Sequence, residues 1–378
     1  MPLYIHEDPY WPQFRWRQEA LTTLLAAVRH QQGRLIGQME AIGFPQRSEA
    51  VLHTLTQDVV QSSAIEGEQL DIAQVRSSVA RRLGLDIGGL LSADRHVEGV
   101  VEMIMDATMR FAMPLDEERL FGWHSALFPT GRSGLHRIIA GGWRDDHSGP
   151  MQVVSGPMGR ERVHFTAPAA GRLPDEMSAF LAWFASDQGI DPVLKAGLAH
   201  LWFVTVHPFE DGNGRIARAI ADLGLARSEN SPHRFYSMSA QIHLERAAYY
   251  DNLEQTQKGG LDVTAWLTWF LECLGRAIAS AETLLAAVLR KARFWESLSS
   301  ETLNPRQRAM LNRLLDGFEG KLTSSKWAKI TKCSPDTALR DITDLIERDI
   351  LARDAASGRS TSYSFAPRFV GEKQRDGQ

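Results

Sequence analysis

The chain has 378 residues, of which 43% are hydrophobic and 23% charged, and its formal net charge at pH 7 is −4. That length allows two or three domains with cores of their own, and the near-neutral balance supplies no global field that would draw in nucleic acid or a membrane surface. The two cysteines, Cys273 and Cys333, lie far apart, which excludes a disulfide framework, makes a zinc site an unsuitable reading and fits a reducing cytoplasm.

The opening Met1-Pro2-Leu3-Tyr4-Ile5-His6-Glu7-Asp8 has neither the basic start nor the apolar run of a signal peptide. No apolar stretch approaches the roughly 20 residues that span a bilayer, so a cytoplasmic protein without membrane attachment is expected. Residues 16–42 place Leu21, Leu24, Leu25, Val28, Leu35, Ile36 and Met39 at helical spacing and end at Gly43 and Pro45. Helices are expected next at about 48–63, 94–112 and 117–128, with the charges of 72–95 read as a solvated helix and loop. The glycine- and proline-rich stretch 131–170 contains two β-like runs, 151–155 and 162–166, around Gly156-Pro157-Met158-Gly159, which predicts a hairpin. Helices resume at 173–187, 192–207, 214–228, 241–258 and 262–290. The fold class is therefore mainly α.

After about residue 291 the pattern changes. Short helices are expected at 305–317, 323–331 and 335–348, the last opened by Ser334 as N-cap and Pro335 as first helical residue. Ile350–Arg353, a polar turn Asp354–Ser360 and Thr361–Phe365 complete the order of a winged helix-turn-helix module. Residues from about Gly371 are expected to fray. Residues 301–378 carry 14 Lys/Arg against 11 Asp/Glu, a modest excess for a DNA-binding domain. Asp336, Thr337, Arg340 and Asp341 on the early turns of the third helix make a mixed face, so DNA and a protein partner both stay open.

The most informative segment is His207-Pro208-Phe209-Glu210-Asp211-Gly212-Asn213-Gly214-Arg215-Ile216-Ala217-Arg218. The nearly all-apolar run Val193–Val206 before it predicts a buried helix that Pro208 ends at His207. Gly212-Asn213-Gly214 permits the positive φ values of a tight turn whose backbone N–H groups converge on an anion. A second helix beginning near Gly214 aims its positive end at the same point, and Arg215 and Arg218 share one face. Asp211 is a hard carboxylate suited to Mg²⁺ bridging phosphates. His207 is the side chain best suited to take a proton near neutrality. Base, carboxylate, glycine nest and arginines together describe a nucleoside-triphosphate site.

The whole string resembles the Fic motif, His-Pro-Phe-x-(Asp/Glu)-Gly-Asn-Gly-Arg-x-x-Arg, at every position. The resemblance implies a helical Fic core with a β-hairpin flap, ATP as co-substrate, Mg²⁺, and AMP transfer to a Ser, Thr or Tyr hydroxyl of a protein target, the chain itself among the candidates. It implies nucleotide and target contacts at the flap backbone of Val153, Val154 and Ser155, and at Asp211, Gly212, Asn213, Gly214, Arg215 and Arg218. It further implies an adenine pocket lined by Tyr249 and Tyr250, with Gln257 as a polar contact. Ser62-Ser63-Ala64-Ile65-Glu66-Gly67 resembles the family's inhibitory motif, (Ser/Thr)-x-x-x-Glu-(Gly/Asn), whose glutamate is expected on the second arginine, Arg218. The expected divisions are an N-terminal helical region 1–95 with an inhibitory helix at about 48–67, a catalytic core 96–290 and a winged-helix domain 291–378. Removal of AMP at the same site and a DNA-binding regulator with a nucleotide-sensing core are the alternatives, and a homodimer is left open. His200 is read as a core histidine, His136, His147 and His164 show no metal spacing, and Trp123, Trp143 and Trp202 are read as core.

Overall fold

The computed structural model describes residues 4–85, 91–147, 149–156, 160, 162–299, 301–315, 318, 320–354 and 361–369. It divides into two compact units, Met1–Glu282 and Thr283–Gln378.

The first unit is built on a central helix pair, α7 (Pro192–Val206) and α8 (Asn213–Glu229). Asp191 caps α7 by accepting the Val193 N–H at 2.8 Å, with Pro192 in the first turn. Such a cap contributes about 1 kcal/mol. Thirteen of the fifteen α7 residues are buried, as the apolar run requires. Helices α4 (Arg95–Met109) and α5 (Glu117–Leu127) pack on one another and on α8, and α6 (Leu173–Ala185) packs on α7. Asp94 and Asp116 cap α4 and α5 through their side chains.

At the N-terminus, α1 (Gln18–Glu40) and α2 (Phe44–Ile65) match the expected helices, and α2 starts four residues earlier than its predicted bound. The region 1–95 lies within the Met1–Glu282 unit. Helix α2 lays Leu52, Leu55 and Val59 into the unit's core and packs on α4, α8 and α9 (Met238–Leu244). Between α2 and α4 lies α3 (Ile72–Arg82), which buries Val75, Ser77, Ser78, Val79 and Ala80, so this stretch is less solvated than its charges suggest.

Strands β1 (Arg132–Ser133) and β2 (His136–Arg137) form a small hairpin after α5. The expected longer hairpin is β3 (Gln152–Ser155) paired antiparallel with β4 (Arg162–Thr166), with a bulge between Val153 and Val154. Its predicted turn at 157–159 lies outside the described residues, as do the polar turn at 355–360 and the tail from 371. Phe165, 1% exposed, anchors β4 against Tyr4 and Ala167. The single helix expected over 241–258 is broken at Glu245 into α9 and α10 (Arg246–Gln257), and α11 (Thr264–Ser297) runs past its predicted end.

The second unit contains α12 (Pro305–Leu315), α13 (Ser324–Thr331), α14 (Pro335–Glu347) and an antiparallel pair, β5 (Leu351–Arg353) and β6 (Tyr363–Phe365). Trp327, Met310, Leu311, Ile342, Leu345 and Ile350 form its core. Ser334 caps α14 through the Thr337 N–H at 3.2 Å. Asp341, grouped above with a mixed outward face, instead turns inward: it is 5% exposed and accepts from Arg306 and Asn304. A carboxylate so engaged offers nothing to a partner. Among the described residues no helix is long and apolar enough to cross a membrane.

Candidate active site

The site is assembled where α7 ends and α8 begins. Helix α7 stops at His207, which takes the left-handed conformation, φ 52° and ψ 59°. A non-glycine residue held there costs about 1–3 kcal/mol, which surrounding contacts must offset. Asn213 closes the following loop on itself: its Oδ1 accepts the Phe209 N–H at 3.0 Å and its Nδ2 donates to the Phe209 carbonyl at 2.8 Å. The Phe209 ring is fully buried and stacks on His124, centroids 4.1 Å apart and 6° from parallel. Because a backbone N–H can only donate, the Gly141 N–H at 3.0 Å fixes His124 Nδ1 as acceptor. His124 Nε2–H then donates to the Asp211 carbonyl at 3.2 Å. Burial pushes His124 down to about 4, which keeps this neutral tautomer in place at neutral pH.

Gly212 adopts φ 78°, and a Cβ there would lie 2.9 Å from the Phe128 ring. Both facts require glycine. Gly214 does not take a positive φ as expected. It sits inside the first turn of α8, where a Cβ would come within 2.2 Å of Glu66 Oε1, so its missing side chain makes room for a carboxylate.

His207 Nδ1–H donates to the Val204 carbonyl at 3.2 Å, which leaves the Nε2 lone pair free. Burial holds His207 down at about 4, with Arg144 lowering it further and Glu66 and Asp211 acting upward. Asp211 Oδ1 accepts the Gly212 N–H at 2.5 Å, while Oδ2 accepts the Ser133 hydroxyl from the β1–β2 hairpin. The same hairpin is followed by Ile139, whose N–H donates to Glu210 at 2.5 Å.

Arg215 and Arg218 are each 2% exposed. Arg218 Nη2 meets Glu66 Oε1 at 2.8 Å and also donates to the Ser62 carbonyl at 2.8 Å. Burial alone would push Arg218 down, but the Glu66 charge holds it raised. Arg215 Nη1 meets Glu68 Oε2 at 2.6 Å, and the same oxygen lies 3.2 Å from His96 Nε2. The hydrogen bond to His96 lowers Glu68, and Glu68 in turn raises His96. Arg215 Nε and Arg218 Nη1 are buried donors without a partner.

Tyr250 closes one side, its hydroxyl 3.3 Å from Glu66 Oε2. Tyr249 stands behind it at 1% exposure, with its hydroxyl 2.9 Å from His200 Nε2. Burial pushes His200 down to about 3, so it is the core histidine expected. Gln257 is also buried and donates to Thr205 at 3.3 Å, which turns its amide inward. On the hairpin, Val154 is 49% exposed while Val153 packs towards Phe165. Ser155 Oγ lies 2.5 Å from His164 Nε2, and His164 Nδ1 lies 2.6 Å from Glu254. Glu68, His96, Ser133, Arg144 and His124 were not singled out by sequence reasoning; Glu68, two residues beyond Glu66, carried the nearest signal.

Mg²⁺ is expected here from the sequence, with Asp211 as its ligand. Among the described residues no group of three or more His, Cys, Asp or Glu side chains forms an all-protein metal cage. Mg²⁺ keeps several waters and commonly takes one or two carboxylates beside substrate phosphates. A partly exposed Asp211, 4.0 Å from Arg215 Nη2, fits that mode.

Two family models match the chain. Residues 114–225 match the Fic/DOC family, and residues 4–85 match a domain of unknown function, DUF4172. The protein adenylyltransferase Fic of Aedes aegypti is 26% identical over 227 residues, covering 59% of this chain and 40% of that protein. The protein adenylyltransferase fic-1 of Caenorhabditis elegans is 28% identical over 207 residues, covering 54% of this chain and 37% of that protein. The chain thus spans about two fifths of the length of these curated relatives. A Fic family protein from Desulfovibrio desulfuricans G20 has a solved structure with TM-score 0.54 and 21% identity, covering 95% of this chain and 99% of that one. That likeness establishes the fold.

Proposed function

We propose that this chain, a member of the Fic/DOC family, transfers AMP from ATP to a hydroxyl side chain of a protein and is restrained in that reaction by its own Glu66. The observation that carries the reading is the arginine pair. Arg215 and Arg218 are buried, face carboxylates from one short segment, and each keeps an N–H donor with no partner. Buried cationic donors left over in this way call for an anion with several oxygens, which the polyphosphate of a nucleotide supplies. The N-terminus of α8 adds backbone N–H groups at the same place.

In the proposed step, the target hydroxyl oxygen bonds to the α-phosphorus, the bond from that phosphorus to the β-phosphate bridging oxygen breaks, and pyrophosphate leaves. The hydroxyl proton passes to His207 Nε2, which the Val204 hydrogen bond leaves unprotonated. Arg215 and Arg218 hold the phosphate oxygens. Asp211 would hold Mg²⁺, which when bound neutralises charge on the phosphates. The outer edge of β3, with Val154 exposed, is suited to receive an extended target segment by strand addition. Tyr250, the more exposed tyrosine of the pair, is the member suited to face the adenine, with Tyr249 and Gln257 behind it.

Restraint follows from the same geometry. Glu66 occupies the guanidinium of Arg218 that a γ-phosphate would take, and Glu68 does the same at Arg215. The test is to incubate the protein with Mg²⁺, a cell lysate and ATP labelled at either the α- or the γ-phosphorus. Label from the α-position alone should become attached to protein. Attachment of γ-label would make the reaction a phosphoryl transfer and contradict the proposal.

A further inference from the structure

We infer that Arg144 is the positioning residue of the base: it holds the backbone of His207 in its left-handed turn and ties that turn to the foot of the β3–β4 hairpin. The inference rests on the reading of His207 as the base.

Arg144 lies between the β1–β2 hairpin and β3 and is 3% exposed. Its Nε–H donates to the His207 carbonyl at 2.8 Å, and its backbone N–H donates to the next carbonyl, Pro208, at 2.9 Å. One residue thus fixes both carbonyls that follow the end of α7. The other two guanidinium nitrogens point elsewhere. Nη2 donates at 2.5 Å to the carbonyl of Pro168, just after β4, and Nη1 meets Asp146 Oδ1 at 3.2 Å. Asp146 in turn accepts the Ala170 N–H at 2.6 Å, also at the hairpin's foot.

The chemistry needs such a tie for two reasons. His207 is a non-glycine residue at positive φ, and relaxation to an extended conformation would swing the imidazole away from its place. A planar fork with donors in several directions can hold three separate acceptors, which a lysine ammonium on a flexible stem cannot do in the same geometry. The charge matters as well. Arg144 disfavours a proton on His207, opposing Glu66 and Asp211, so its position tunes the base as well as placing it.

The experiment compares Arg144→Met and Arg144→Lys in the full-length chain carrying Glu66→Gly. Arg144→Met should lower kcat for AMP transfer by about 10²-fold while KM for ATP stays within about twofold, since the loss is one of orientation. Arg144→Lys should keep the charge and lose the fork, and its kcat should fall by about tenfold. His207 titration, followed by NMR without nucleotide, should move upward in Arg144→Met and stay in place in Arg144→Lys. An unchanged kcat, a loss confined to KM, or a His207 titration unmoved by Arg144→Met would overturn the inference. Should Arg144→Met fail to fold, the kcat of Arg144→Lys decides it. If the parent itself transfers no AMP, the proposed function falls, and the titration alone decides whether Arg144 governs His207.

Discussion

The glycines of Gly212-Asn213-Gly214 do different jobs, and the string read as letters does not separate them. Gly212 supplies a left-handed turn and stays clear of Phe128, whereas Gly214 is helical and leaves space for Glu66. His207, Arg215 and Arg218 were legible in sequence because their chemistry depends on spacing along one loop and helix. Arg144 and Glu68 were not, because their partners are chosen by the fold: Glu68 and Arg215 are 147 residues apart. Gln257 is buried and donates to Thr205, a contact that spacing along the chain does not show. At this scale the expected effect of His207→Ala is a loss of AMP transfer of about 10²–10⁴-fold. ATP affinity should change by no more than a few-fold, because His207 acts on the hydroxyl proton and makes little ground-state contact. Transfer at the wild-type rate would remove the assigned base.

Among the elements, the end of α2 carries most of the proposed control. Glu66 is its C-cap residue and Gly67 turns left-handed at φ 86°, which brings Glu68 to the neighbouring arginine. The helix itself was expected from sequence at about 48–63, but the second carboxylate acquires meaning only when α8 and α4 are packed beside it. His96 on α4 holds the same Glu68 oxygen, so the Arg215 contact is a three-member network. Replacing Glu68 with Gln removes the charge that competes with phosphate while keeping the length of the side chain. ATP affinity, measured by calorimetry, should tighten about 3–10-fold. Equal affinities for wild type and Glu68→Gln would confine the restraint to Glu66. The C-terminal unit was legible at this scale too, because its caps and amphipathic helices are local features; Asp341 was misjudged because only tertiary contacts with Arg306 and Asn304 turn it inward.

Across the molecule, α2 is joined to α8 by a buried polar cluster. Asp58 on α2 accepts from Ser237 at 2.5 Å, and Asp222 on α8 pairs with the buried Arg234 at 2.7 Å. Burial, reinforced by Asp222, pushes Asp58 up to about 8, well above its ordinary value near 4. The raised group contributes stability that is complete below the unfolded value and is lost as pH rises through the folded one. Thermal midpoints should therefore fall as pH rises from about 4 to about 8 and level off above that, and Asp58→Asn should flatten that slope; equal slopes in the two proteins would rule out Asp58 as its source. The proposed restraint belongs to the whole Met1–Glu282 unit, because Glu66 reaches Arg218 from a helix outside the His207–Arg218 segment. It is tested most directly by the transfer of α-labelled AMP to protein by wild type and Glu66→Gly under equal Mg·ATP. Freed of its carboxylate, Arg218 should accept the γ-phosphate, and transfer, self-modification included, should rise by about tenfold or more. Equal rates in two folded, ATP-binding proteins would contradict the account.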